Sequence, residues 1–398
     1  MELMEKKYYA IAGQWRPGQV GALGIKCYRY DPDTGCLDLI ETVRGDITAG
    51  QLCVDTKRNM VYVVDEIGHI RGDLGGGAYV YAFRMDTETG KLTLVSEKRS
   101  LAAYPCYLCL DPTGKYLLVS HNSDREHVTK ITQREDGSFT SEIVYDDAAL
   151  VMFRVNDDGS LDDICDLSIT PSGGMGNPRA KVMARDGKIA ATVGVMSHLH
   201  SVSRNADGTL FAVCDMGMGI IYTYHIDRAG GKLVPVNRYD EDVERQVRYS
   251  AFHPTQSYLY VNCEKSPYIL GYKYRAEDGA LENICKVRAV PGDTKVEAGG
   301  NDLLIHPNGK YLYCSNISNT ISLMEIAGDG MLTLKQSIDC GGNRPRALCL
   351  SPDHRFLFCG NNRSGTITSF SVAADGTLTP TGMTVDDVMP SALAIFSC

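Results

Sequence analysis

Tyr107-Leu-Cys-Leu-Asp-Pro-Thr-Gly-Lys-Tyr-Leu-Leu-Val119 is an apolar run, a Pro/Gly/Asp turn and a second apolar run. The phrase returns as Leu303-Leu-Ile-His-Pro-Asn-Gly-Lys-Tyr-Leu-Tyr-Cys314 and as Ala347-Leu-Cys-Leu-Ser-Pro-Asp-His-Arg-Phe-Leu-Phe-Cys359. β-Branched and aromatic residues flanking turn formers are the signature of a β-hairpin. A repeat of roughly 45 to 50 residues lies in the range of four-stranded propeller blades. Hairpin cores begin near Leu52, Tyr107, Ser201, Tyr249, Leu303 and Ala347. Asp-Gly turns at Asp136, Asp158, Asp278, Asp329 and Asp375 mark further tight hairpins. These account for six blades. A seventh is divided between the ends of the chain: Tyr8–Ala12 and Gly24–Tyr30 supply its later strands, and Ser391–Phe396 its first. Pairing the two ends closes the ring and removes the open sheet edge.

The expected fold is therefore an all-β, seven-bladed propeller, one domain over residues 1–398. Its rhythm breaks between His121 and Ser197, where the step from Pro112 to Ala206 is about twice the usual one. Insertions are expected around 121–150 and 170–197, and long loops on a rigid scaffold often cover binding sites.

Bulk composition narrows the function. A net charge of −9 and no basic block argue against nucleic acid. No apolar run is long enough to span a bilayer, and the N-terminus has no apolar signal region, so neither a membrane nor a secreted setting is expected. Fourteen cysteines, many in strand registers, read as free thiols in a reducing cytoplasm. The lone Cys106-x-x-Cys109 pair lacks the second pair a zinc ribbon needs.

A propeller brings equivalent positions of every blade around one axis. Counting back six from each hairpin marker gives Gly50, Cys106, His200, Arg248, Asn301 and Arg346, with Ser391 in the terminal strand. Counting forward ten gives Glu66, Asn122, Met216, Glu264, Ile317 and Asn362, with Gln14 as the terminal equivalent. The two strands are antiparallel, so both rings surround one mouth of the central channel. A packing position would be apolar in most blades; here charged and amide residues converge, as in a binding cleft. His200, Arg248 and Glu264 stand on adjacent blades and supply acid–base and anion-binding chemistry. Arg346, Asn301, Glu66, Asn122, Asn362 and His198 are expected around a small-molecule ligand. His198 and His200 alternate on one strand and so share a face. A His-x-His without an obvious third ligand does not make a metal site, and no metal or other cofactor is expected.

The residues of these rings are similar to those of the seven-bladed propeller lactonases, which include bacterial propeller-type 6-phosphogluconolactonases and carboxymuconate lactonizing enzymes. The resemblance is carried by Ser197-His-Leu-His-Ser-Val-Ser-Arg-Asn-Ala-Asp-Gly208 with Cys214-Asp-Met-Gly217, by Val247-Arg-Tyr-Ser-Ala-Phe-His-Pro254 with Tyr260-Val-Asn-Cys-Glu264, and by His306-Pro-Asn-Gly-Lys-Tyr-Leu-Tyr-Cys-Ser-Asn316. It implies catalytic roles for His200, Arg248 and Glu264. Two positions depart from the family pattern: Tyr249 stands where a His is usual, and Ile317 where an Arg is common. Arg346 or Arg363 is positioned in sequence to compensate. The resemblance implies opening of a small sugar-type lactone, with a lactone or organic acid as partner. Two rivals are cyclisation of a muconate-like diene acid and a non-catalytic propeller that binds a ligand or protein.

Overall fold

The computed structural model describes residues 6–16, 23–70, 75–124, 127–185, 187–294 and 299–398. Among these, seven four-stranded antiparallel sheets and two two-stranded ones are formed. Blades 1 to 6 span 49–99, 105–170, 199–240, 247–288, 300–339 and 345–386. Blade 7 combines Pro390–Ser397 with Tyr8–Gln14, Ile25–Tyr30 and Leu37–Val43. Its first and second strands come from opposite ends of the chain, and Tyr9 lies opposite Phe396. The innermost strands lie side by side around a complete circle, that of blade 7 touching those of blades 6 and 1.

The second strands are the apolar runs of the repeated phrase. Met60–Asp65, Tyr116–His121, Phe211–Asp215 and Tyr311–Asn316 are buried at every residue, because each is covered on both faces by adjacent blades. The core therefore lies between sheets: Ile11 and Ile25 of blade 7 pack with Val61, Val63 and Phe83 of blade 1. A tyrosine of the second strand also latches onto the outer turn of the following blade. Tyr62 donates to the Gly159 carbonyl at 2.9 Å, Tyr260 to Gly330 at 2.9 Å and Tyr313 to Gly376 at 2.8 Å. The glycines of these Asp-Gly turns have φ of 88°, 83° and 81° and lie against side chains of the preceding blade, so a Cβ there is excluded twice over.

The break in rhythm has a structural cause in blade 2. His127–Gln133 and Phe139–Tyr145 pair as a hairpin inserted between its second and third strands. Lys181–Arg185 and Lys188–Val193 form another between blade 2 and blade 3. These stretches are paired strands where loops were expected.

Candidate active site

The first-ring residues share one backbone peculiarity. Each is the second residue of its innermost strand, and the pairing register of all seven described innermost strands shifts there: at 49/52, 105/107, 199/201, 247/250, 300/303, 345/347 and opposite Gly13/Gln14. A β-bulge takes one residue out of the ladder and re-aims its side chain. The second ring is fixed by a matching bond. The N–H groups of Glu66, Asn122, Met216, Glu264, Ile317, Asn362 and Trp15 donate to the carbonyls of Thr48, Tyr104, His198, Gln246, Gly299, Arg344 and Met389, at 2.8–3.1 Å. The terminal member of this ring is therefore Trp15, one residue beyond the expected Gln14. Gln14 is buried and donates to Asp387 instead.

Arg248 is 2 % exposed, and its Nε lies 3.0 Å from Glu264 Oε2. Its guanidinium also donates to the Asn301 carbonyl and stacks 4.5 Å above the Tyr249 ring. His200 packs against the same ring in a T-shaped contact, with centroids 5.3 Å apart and planes at 77°. Tyr249 thus joins His200 to Arg248. Burial would raise the Glu264 carboxyl, but Arg248, Lys265, Arg346 and Arg344 outweigh it and hold the group below the usual carboxylate range. Of the two arginines expected to compensate for Ile317, Arg346 acts on Glu264 directly, whereas Arg363 acts on Arg344.

On the far side of the mouth Arg346 stacks 4.1 Å above Trp15, whose indole N–H donates to Glu66. Glu66 is buried. Its carboxylate fills the space a side chain at position 50 would need, since a Cβ on Gly50 would lie 1.9 Å from Glu66 Oε2. Burial raises the Glu66 carboxyl to about 7, against the pull of Arg346, Arg248 and the Trp15 N–H.

The remaining expected residues divide. Asn301 is buried with no protein partner for Nδ2, and the same holds for Asn122 Oδ1, so both keep capacity for a ligand. Asn362 donates to the Trp15 and Met389 carbonyls, both at 2.9 Å, and so supports the seventh blade. His198 turns towards blade 2, where its Nδ1 meets the Asn122 carbonyl and the Ser123 hydroxyl. His200 turns towards blade 4. The bulge between Leu199 and Ser201 breaks the alternation that would have put the two histidines on one face. Among the described residues no three His, Cys, Asp or Glu side chains are grouped to hold a metal. A cleft of about 860 Å³ opens at the opposite ends of the inner strands of blades 1 to 3, away from the rings. Its arginines are engaged within the protein, Arg58 with Asp55 at 2.6 Å and Arg204 with the Leu110 carbonyl at 3.0 Å.

Sequence reading missed Trp15, Arg344 and Lys265. Arg344 stands two residues before Arg346, at φ 58°, in an Arg-Pro-Arg triplet that a count to a single position per blade passes over.

The family described as "Lactonase, 7-bladed beta-propeller" matches residues 19–395. The chain belongs to that family. A 6-phosphogluconolactonase of Bacillus subtilis (strain 168) is 24 % identical over 369 residues, covering 92 % of this chain and 91 % of that protein. Another from Formosa agariphila is 21 % identical over 356 residues, with 87 % and 88 % covered. The structure of the periplasmic gluconolactonase PpgL of Pseudomonas aeruginosa superposes with a TM-score of 0.79 at 21 % identity, covering 98 % and 99 % of the two chains, and shares the fold. Among the described residues no helix is long and apolar enough to cross a membrane.

Proposed function

We propose that this chain opens a small sugar-type lactone of the 6-phosphogluconolactone kind at the ringed mouth of its channel. The observation that carries this reading is the Arg248–Glu264 ion pair, with Tyr249 and His200 against it, set among Arg344, Arg346 and Lys265 in a lactonase-family chain. The surplus of cations favours an anionic substrate. Arg248 polarises the lactone carbonyl and stabilises the oxyanion that forms on it. Glu264 is held ionised too far below neutrality to be an efficient base, and it serves to orient Arg248. His200 then activates the attacking water, since an imidazole ordinarily titrates near neutrality. The ligand partner is a small molecule. Fourteen free thiols support a reducing, cytoplasmic setting. The test is a pH-stat assay of gluconolactone and 6-phosphogluconolactone opening. Acceleration over buffer that disappears in Arg248→Ala and His200→Ala is expected; ligand binding without turnover in the wild type would leave a binding propeller instead.

A further inference from the structure

The mouth has two sides, and the reaction above uses one. Base, oxyanion donor and orienting carboxylate lie on blades 3 and 4, while Glu66, Trp15 and Arg346 lie on blades 1, 7 and 6. These last three neighbour one another around the ring and face the first set across the channel. Ring opening also requires a proton on the departing ring oxygen, and an acid on the far side of the mouth would supply it without waiting for the His200 imidazolium to change partners.

Resting on the lactonase reading, we propose that Glu66 is the general acid that protonates the leaving ring oxygen. The geometry is built for one carboxyl. Gly50 supplies the space, Trp15 donates to it from one flank, and Arg346 is stacked on Trp15. The charged or titratable groups facing it are Arg346, Arg248 and the buried Cys106 thiol. Burial is the largest influence on this carboxyl and keeps a substantial fraction protonated near pH 7, as an acid must be. The step balances. The water oxygen bonds to the carbonyl carbon as one water proton passes to His200. The bond from that carbon to the ring oxygen then breaks, and the ring oxygen takes the proton of Glu66. Imidazolium and carboxylate remain, and solvent carries the proton from His200 back to Glu66, so one water is consumed per ring opened.

Trp15 is the single tryptophan of the chain, which turns it into a reporter of this carboxyl. The experiment compares full-length wild type with Glu66→Gln in two measurements. In the first, tryptophan emission of the ligand-free protein is titrated from acid to mildly alkaline pH. A transition centred near 7 in the wild type and absent in Glu66→Gln is expected, and persistence of the same transition in Glu66→Gln, or a wild-type midpoint below about 5, overturns the proposal. In the second, kcat and KM for 6-phosphogluconolactone and gluconolactone are followed against pH. The wild-type kcat should fall as pH rises through about 7, when the acid form is lost, and Glu66→Gln should lose about 10²-fold in kcat with that limb abolished and KM within about threefold. A Glu66→Gln enzyme with wild-type kcat and profile overturns the assignment alone. A wild type inert towards every lactone, with its emission transition intact, overturns the lactonase reading and takes the assignment with it.

Discussion

Glu66 and Glu264 occupy the same address in blades 1 and 4, yet their carboxyls are shifted in opposite directions, Glu66 up and Glu264 down. Each follows the second strand of its blade, and each N–H donates to the carbonyl two residues before the first-ring position, at 2.8 and 2.9 Å. What differs is the residue at that position. For Glu264 it is Arg248, 3.0 Å away, and further cations gather behind it. For Glu66 it is Gly50, which offers space and no charge. Both carboxyls are desolvated; at Glu264 the cations outweigh burial, and at Glu66 burial outweighs Arg346, Arg248 and the Trp15 N–H. A propeller gives every blade the same backbone, so chemistry is differentiated by what stands across one hairpin.

The comparison breaks most completely at Arg248. Arg248→Ala should lower kcat by about 10³-fold. It should also leave Glu264 unmatched, at a cost of about 3–5 kcal/mol in urea unfolding, and raise its carboxyl towards the state of Glu66. The next effect is on stability. A carboxyl raised from its ordinary 4.5 to about 7 binds its proton more tightly folded than unfolded, so stability should fall as pH rises between those values, by about 3 kcal/mol in all. Unfolding measured at pH 5 and pH 8 should show that loss in the wild type and its absence in Glu66→Gln. Glu264, depressed instead, contributes stability above its unfolded value that is lost as pH falls through the folded one, so Glu264→Gln should leave the pH 5–8 difference in place. Gly50→Ala tests the cradle. A Cβ 1.9 Å from Glu66 Oε2 must displace the carboxylate, and about a tenfold loss of kcat with a shifted Trp15 emission maximum is expected. The smallest effect belongs to Trp15→Phe, which keeps an aromatic face for Arg346 but deletes the N–H that favours the ionised form of Glu66. The alkaline limb of the pH–rate profile should move upwards, with kcat at pH 7 changed by less than about fivefold.

Most of the architecture is legible in the sequence, because hairpin, turn and repeat are local features. The count lands on the second residue of each innermost strand because the bulge there sits at the same offset from the turn in each of blades 1 to 6. Blade 7 has no such turn between its first two strands, so the count stopped at Gln14 and missed Trp15. The same bulge defeated the alternation argument for His198 and His200. The hairpins at 127–145 and 181–193 replaced expected loops because their strand signals lay outside the repeat. Protonation was not legible at all. That Glu66 and Glu264 differ depends on Gly50, Arg344, Arg346 and Lys265 meeting them from elsewhere in the chain, and no spacing records burial.

The seam of blade 7 has a consequence for how the protein is made. Trp15 emerges from the ribosome early, yet the carbonyl that holds its N–H at 3.1 Å belongs to Met389, and Asn362 fastens both. Until that late segment arrives, Tyr8–Gln14 carries an unsatisfied edge through the synthesis of six blades. An unfinished polypeptide is thus the form most exposed to pairing with a neighbour, and the Trp15 side of the pocket cannot be completed before the last strand has been made.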